Sequence, residues 1–137
     1  MKFVFLDTSV LIGLYVIRDE IHQRALQQLT TLAQDGARFV TTDAVLTEFC
    51  NGLAKVALRQ RAAAAVQGLM ARTDVTLIRV TEPLWLRAFG LYQARSDKEW
   101  GLTDCISFEV MRARHIQSAL TADHHFAQAG FTALLQK

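Results

Sequence analysis

Four acidic residues occupy positions where their carboxylates could hold a metal ion together. They come from distant parts of the chain, and each stands directly after a strand-like apolar run or within a neighbouring predicted helix: Asp7, Glu48, Asp104 and Asp123. Carboxylates held close together raise one another's pKa unless a cation neutralises them. Ligand sets made only of oxygen favour hard cations, here Mg²⁺ or Mn²⁺, over Zn²⁺. If the fold gathers these residues, the sequence predicts a divalent metal site.

Each acid on its own also has a plainer explanation. Aspartate is among the most favoured residues at the start of a helix, so Asp7, Asp104 and Asp123 could serve only as helix caps. Glu48 could lie on a solvated helix face. This explanation suits any single acid, whereas four acids at one edge of a sheet favour metal binding.

The pattern of apolar and polar residues predicts alternating strands and helices. Short apolar or β-branched runs predict strands at residues 3–6, 39–42, 75–80, 119–121 and 131–135. Helical patterns occupy residues 7–15, 19–34, 43–53, 55–72 and 81–95, with further helices capped by Thr103 and begun by Asp123. Residues 96–101 form a polar loop. Such alternation is typical of a parallel sheet with helices on both faces.

We therefore expect an α/β fold, a three-layer α/β/α sandwich around a central, mostly parallel sheet of four to five strands, with residues 1–137 forming one domain. Ligands of such folds bind outside the carboxyl ends of the strands. Asp7 directly follows the first strand and Asp123 the fourth. Glu48 and Asp104, on adjoining helices, are within reach of the same edge.

Composition indicates a soluble globular protein. Hydrophobic residues make up 51% and charged residues 20% of the 137 residues, which excludes a disordered or collagen-like chain. Two cysteines are too few for a disulfide scaffold, and no apolar run approaches the ~18 residues of a membrane span. We expect a cytoplasmic protein that does not enter a membrane.

Four motifs, in order, resemble those of the PIN-domain ribonucleases, and most closely the VapC-like toxins of bacterial toxin-antitoxin pairs. The motifs are DTSVLI at 7–12, TTDAVLTEF at 41–49, WGLTDCISFEVM at 100–111 and LTADHHFAQAGF at 120–131. The resemblance spans essentially the whole chain. Departures are small: Cys105 stands where a small residue such as Ala is common, and His124 fills a variable position.

The resemblance implies an endoribonuclease that depends on Mg²⁺ or Mn²⁺ and leaves a 3′-hydroxyl and a 5′-phosphate. It makes Asp7, Asp104 and Asp123 metal ligands and Glu48 a ligand or a base acting through water. The hydroxyl of Thr8 would support the site. The same resemblance implies an RNA substrate, a small cognate antitoxin that covers the acidic groove, and a homodimer.

Apolar residues on the short helices after the first two strands could supply the surface of that dimer, or could equally be core: Leu11, Leu14, Tyr15, Phe49 and Leu53. Candidate RNA contacts are Lys98, Trp100 and Arg112, because cations bind phosphate and an indole stacks on unpaired bases. The alternatives are that the cations are merely solvated and that Trp100 packs at the sheet edge.

Other functions have weaker support from the sequence. A receiver-like phosphoacceptor shares this sheet but needs two adjacent acids after the first strand and a lysine after the last, and FLDTS has a single acid. Neighbouring side chains on a helix point about 100° apart, so His124 and His125 are poorly placed to chelate one ion, and His125 is expected to orient the turn after Asp123. A catalytically silent PIN-fold RNA-binding or scaffold module remains the main alternative.

Overall fold

The computed structural model describes residues 2–16 and 20–136. Its strands are β1 (Phe3–Leu6), β2 (Arg38–Thr42), β3 (Val75–Ile78), β4 (Ser118–Leu120) and β5 (Thr132–Ala133). Its helices are α1 (Thr8–Tyr15), α2 (His22–Gln34), α3 (Asp43–Gly52), α4 (Val56–Ala71), α5 (Glu82–Ala94), α6 (Leu102–Ala113) and α7 (His124–Gln128). No helix in this part of the chain is long and apolar enough to cross a membrane.

The strands form one sheet in the order β3-β2-β1-β4-β5, and every neighbouring pair is parallel. Helix α1 contacts α2, α3 and α4, helix α6 contacts α5 and α7, and α3 also contacts α6. This confirms the predicted three-layer α/β/α fold with five strands. From β1 the chain adds β2 and β3 on one side of the sheet, and it then adds β4 and β5 on the other side of β1. Parallel α/β folds bind ligands where the strand order changes side in this way, here between β1 and β4.

Two strands are shorter than the sequence predicts, because a strand extends only as far as its paired neighbour. β3 lies at the edge of the sheet and ends at Ile78, opposite Thr42. Thr42 is the last residue of β2 and caps α3, so no partner remains beyond it. β5 pairs only with Ser118 and Ala119 of β4. The predicted start of the second helix, at Asp19, lies outside the described residues.

The start of α6 differs from the expected cap in a way that affects the site. Gly101, rather than Thr103, is the N-cap residue. The Asp104 carboxylate turns back and accepts a hydrogen bond from the Gly101 N–H at 3.0 Å. A carboxylate in the first turn of a helix is stabilised by the free N–H groups there. Asp104 is thereby held at the amino end of α6.

A cluster of aromatic rings packs beneath α6 and α7. The fully buried ring of Phe108 has its centroid 5.1 Å from that of Trp100, 5.0 Å from that of Phe126 and 5.7 Å from that of Phe131. Phe126 also contacts Phe5 of β1, with 6.3 Å between centroids. Aromatic pairs in these geometries contribute beyond the area that they bury. The cluster therefore fixes the two helices against the central strand.

We expect Phe108→Ala to lower the free energy of unfolding by about 3–5 kcal/mol, because it leaves a cavity among rings that cannot collapse. Urea denaturation followed by circular dichroism measures the change. Phe3→Ala, which truncates a ring that is 41% exposed at the start of β1, is the matched control and should cost far less. Equal losses in the two variants would show that the cluster is not the centre of the core.

Candidate active site

Three of the four predicted acids meet at the carboxyl edge of the sheet. Asp7 follows β1 and is only 3% exposed, Asp104 lies in the first turn of α6, and Asp123 is the N-cap of α7. Burial raises the pKa of Asp7 to about 6, and the negative charges of Asp104 and Asp123 add to the rise. Each carboxylate therefore lies within electrostatic reach of the others, as predicted.

The Asp7 carboxylate is held by hydroxyl groups from two strand ends. Its Oδ2 accepts hydrogen bonds from Thr121 Oγ1 at 2.8 Å and from Ser9 Oγ at 3.2 Å. Ser9 Oγ in turn accepts the Ala122 N–H at 3.2 Å, and Thr121 Oγ1 accepts the Asp123 N–H at 3.0 Å. The loop after β4 is thus tied to the start of α1.

The hydroxyls that support Asp7 differ from the one that the resemblance implies. Thr8 contributes a backbone hydrogen bond to Asp7, but its buried Oγ1 has no hydrogen-bond partner among the described residues. The hydroxyls on the carboxylate are those of Ser9 and Thr121. Both belong to motifs that contain a predicted acid, DTSVLI and LTADHHFAQAGF. Their position two residues from that acid is the feature of the sequence that could have identified them.

His125 connects the other two aspartates. Its Nδ1 lies 3.2 Å from Asp104 Oδ2 and 3.3 Å from Asp123 Oδ1, and its backbone N–H donates to Asp123 Oδ1 at 2.9 Å. Burial raises the pKa of Asp104, the Gly101 N–H opposes this, the charge of Asp123 adds to the rise, and His125 opposes it. His125 thus orients the turn after Asp123, in agreement with the sequence prediction.

Glu48 lies in an adjoining cleft. It is exposed on α3 and lines an open cleft of about 420 Å³. Thr103, the residue before Asp104, and Trp85 line the same cleft. The structure thus gathers three aspartates and places the fourth acid in a cleft that reaches the start of α6.

Trp100 is a packing residue in this structure. It is 4% exposed, and its indole N–H donates to Gln128 Oε1 at 3.0 Å. The Arg95 guanidinium lies 5.0 Å from the ring centroid, and Phe108 packs edge-on to the same ring. A base cannot stack on the indole in this position, so the structure agrees with the alternative interpretation and not with the RNA-stacking role.

The two basic candidates lie at opposite ends of α6: Arg112 is near its end and Lys98 precedes its start. Arg112 lies in the last turn of α6, eight residues beyond Asp104, which corresponds to about 12 Å along the helix axis. Its guanidinium is 3.9 Å from Glu109. Lys98 lies in the loop that leads to Gly101, with its Nζ 3.6 Å from Asp97. Of the two, Lys98 is closer in sequence to the start of α6.

The donor set fits a hard divalent cation. Within residues 2–16 and 20–136, no Lys or Arg forms an ion pair with Asp7, Asp104 or Asp123. The groups that converge are carboxylate and hydroxyl oxygens, with the unpaired Thr8 hydroxyl beside Asp7. Oxygen ligands and uncompensated negative charge suit Mg²⁺ or Mn²⁺.

The expectation for the two histidines was wrong. One ligand atom each from Asp123, His124 and His125 lie within 4.8 Å of one another, which is close enough to share an ion. The ring centroids of His124 and His125 are 4.4 Å apart. The angle of about 100° between neighbouring residues of a helix describes the directions of their Cα–Cβ bonds. The side-chain torsions of His124 and His125 then bring the two rings together.

Comparison with known proteins agrees with the topology. The family model described as PIN domain matches residues 4–132. A stretch of 71 residues is 35% identical to the 23S rRNA-specific endonuclease VapC20 of Mycobacterium tuberculosis and covers 52% of this chain. It covers 54% of the relative, so the chain spans about half the length of the curated relatives it matches.

Solved structures extend the similarity over the whole fold. The crystal structure of Mycobacterium tuberculosis VapC20, described as a sarcin-ricin loop cleaving toxin, superposes with a TM-score of 0.82 at 28% identity, covering 94% of this chain and 96% of that one. VapBC2 from Rickettsia felis, bound to a DNA fragment from their promoter, superposes with a TM-score of 0.71 at 13% identity and covers 96% of each chain. The second likeness shows the fold alone. With its parallel sheet, its ordered motifs and a family match over nearly its full length, this chain belongs to the PIN domain family.

Proposed function

We propose that this protein is a metal-dependent endoribonuclease that hydrolyses RNA phosphodiesters and acts as the toxin of a toxin-antitoxin pair. The observation that carries the proposal is the convergence of Asp7, Asp104 and Asp123 without a Lys or Arg partner in the described residues. The specificity of VapC20 for 23S rRNA supports RNA as the substrate class.

In this proposal Asp7, Asp104 and Asp123 hold Mg²⁺ or Mn²⁺, with Glu48 as a further ligand or as a base acting through water. A bound divalent ion supplies a water of lowered pKa and neutralises charge that develops on the phosphate. The protein's own groups keep the ligands in place. Ser9 and Thr121 orient Asp7, while Gly101 and His125 orient Asp104.

Ribosomal RNA is the substrate to test, because VapC20 is named for 23S rRNA. The expected products carry a 3′-hydroxyl and a 5′-phosphate. Lys98 is the candidate phosphate contact that the proposal retains, since its loop leads directly to the start of α6. We place the protein in the cytoplasm, where this RNA is found, and expect an antitoxin to cover the acidic groove.

We further propose a homodimer, for which most of the apolar residues that the sequence suggests are covered by the core. Leu11, Phe49 and Leu53 are buried in the core, and Tyr15 packs on Phe49 with 5.9 Å between ring centroids. Tyr15 is nevertheless 39% exposed, and α5 carries a further group of exposed apolar side chains.

The outer face of α5 carries large apolar side chains that are 36–54% exposed: Trp85, Leu86, Phe89 and Tyr92. The three aromatic rings are stacked in a row, with 5.2 Å between the centroids of Trp85 and Phe89 and 6.3 Å between those of Phe89 and Tyr92. An ordered apolar face of this kind on a soluble protein is typical of an interface. Trp85 also lines the cleft of Glu48, so a second copy docked here would approach the cleft.

We expect cleavage of purified rRNA in Mg²⁺ or Mn²⁺, and loss of cleavage in EDTA that either ion reverses. Asp104→Asn and Asp123→Asn should each lower the rate by about 100-fold or more, because each removes a charged ligand while keeping an oxygen for its hydrogen bonds. Gel analysis of 5′-labelled RNA measures the rate.

The control is Asp35→Asn, which changes an exposed aspartate that ends α2 and should leave cleavage unchanged. Cleavage that persists in EDTA would rule out the metal dependence. RNA that binds to the wild-type protein but stays intact in every metal would favour the silent RNA-binding module.

The metal-free protein should lose stability as the pH rises, because of Asp7. Its pKa of about 6 in the folded protein exceeds the ordinary aspartate pKa of 3.8, so the folded state binds more protons than the unfolded state between these values. The stabilisation is fully present below about pH 4 and is lost as the pH rises through 6. Relative to Asp7→Asn, the wild type should lose about 3 kcal/mol.

Urea denaturation of both proteins in EDTA, from pH 4 to pH 8, measures this difference. Adding Mg²⁺ at the high end should restore the wild type and have little effect on Asp7→Asn, which lacks the buried charge. Parallel pH curves for the two proteins would show that Asp7 is not the group responsible.

Phe89→Glu, in the middle of the exposed α5 face, should weaken self-association by about 30-fold or more, because a charge in an apolar interface loses its hydration. Sedimentation equilibrium measures the association constant. Val56→Glu is the control, since Val56 is 90% exposed on α4. A wild-type protein that stays monomeric at high concentration would disprove the dimer.

A further inference from the structure

A second group of possible metal ligands lies beside the three aspartates. Asp123, His124 and His125 each offer one ligand atom, and these atoms lie within 4.8 Å of one another. We propose that this group binds a borderline transition-metal cation, with Zn²⁺ as the representative, at a site that differs from the oxygen-lined pocket in its two imidazole ligands and shares Asp123 with it.

The separations between the ligand atoms suit a small ion. Ligands about 2.0–2.1 Å from a tetrahedral Zn²⁺ lie about 3.3 Å from one another. His125 Nδ1 is 3.3 Å from Asp123 Oδ1, and His124 Nδ1 is 3.7 Å from the same oxygen. Two of the three pairs of ligand atoms are thus close to the separation that one ion requires, and the third pair lies within 4.8 Å.

A possible fourth ligand atom, a carboxylate oxygen, is already close. Asp104 Oδ2 lies 3.2 Å from His125 Nδ1. The two aspartates give the group negative charge, and no Lys or Arg of the described residues pairs with either of them. The His124 side chain is 63% exposed, so an ion can enter from solvent and His124 can turn without disturbing the core.

The two sites differ in the chemistry of their donors. Imidazole nitrogen suits Zn²⁺ and its neighbours among the transition metals, whereas carboxylate and hydroxyl oxygens suit Mg²⁺ and Mn²⁺. Both donor sets include Asp123, so the two kinds of ion would compete for its carboxylate. Zn²⁺ bound by the histidines would draw Asp123 and His125 away from the arrangement that orients Asp104.

The consequence, which rests on the proposed ribonuclease function, is that Zn²⁺ inhibits cleavage in the presence of Mg²⁺. This inhibition comes from ligands on His124 and His125 rather than from simple replacement of one ion by another in the aspartate pocket. Removing an imidazole should therefore relieve it.

Isothermal titration of the metal-free protein with Zn²⁺ tests the site without any RNA. We expect one Zn²⁺ per chain, and His124→Ala should weaken its binding by about tenfold or more because one of three protein ligands is lost. His115→Asn is the matched control, since His115 is also exposed and asparagine tolerates its left-handed backbone, with φ of 56°. His124→Gln, which keeps a polar side chain without an imidazole, should behave like His124→Ala.

Unchanged Zn²⁺ affinity in folded His124→Ala and His124→Gln would overturn the proposal, as would equal weakening by His115→Asn. In the second arm, Zn²⁺ should inhibit Mg²⁺-dependent cleavage by the wild type more strongly than cleavage by His124→Ala. If Zn²⁺ binds through His124 but RNA stays intact in every metal, the ribonuclease function fails and the zinc site stands. If cleavage occurs but both variants bind Zn²⁺ as the wild type does, only the zinc site fails.

Discussion

The burial of the Asp7 carboxylate where β1 and β4 end is the constraint on which the rest of the site depends. Water is excluded from it, and its partners are two hydroxyls and a backbone N–H rather than a cation of the described chain. A buried carboxylate without a compensating charge is costly. The sheet order, with β4 beside β1, and the start of α6 bring two more carboxylates to the same place. The fold is thus arranged around a negative charge that it does not itself neutralise.

The three aspartates are not equivalent. Asp104 and Asp123 both lie beside the His125 imidazole, whereas Asp7 has only neutral hydrogen-bond donors. The aspartate with the strongest need for a cation is therefore also the most buried. Asp123 lies between the oxygen-lined pocket and the pair of histidines. If its carboxylate binds an ion together with the other aspartates, the ligands favour Mg²⁺ or Mn²⁺, and if it binds an ion together with the histidines, they favour a transition metal.

The sequence located the three aspartates correctly because their placement follows from general rules: strand and helix periodicity, parallel pairing and the common edge at which such strands end. The hydroxyl partners of Asp7 were missed, since they depend on the register that sets Leu6 beside Leu120. The burial of Trp100 depends on Gln128, which is 28 residues away and gives no local signal. The histidine pair was misjudged because its rings approach through side-chain torsions that helical spacing does not describe.

The hydrogen bond between Thr121 and Asp7 joins residues 114 positions apart in the chain. A ribosome that has made only β1 to α6 has therefore produced a polypeptide with an open sheet edge and no complete pocket. The groove closes only after β4 has emerged and docked beside β1. For an enzyme proposed to attack ribosomal RNA, this order of assembly would delay harm to the ribosome that is translating it until β4 has been made.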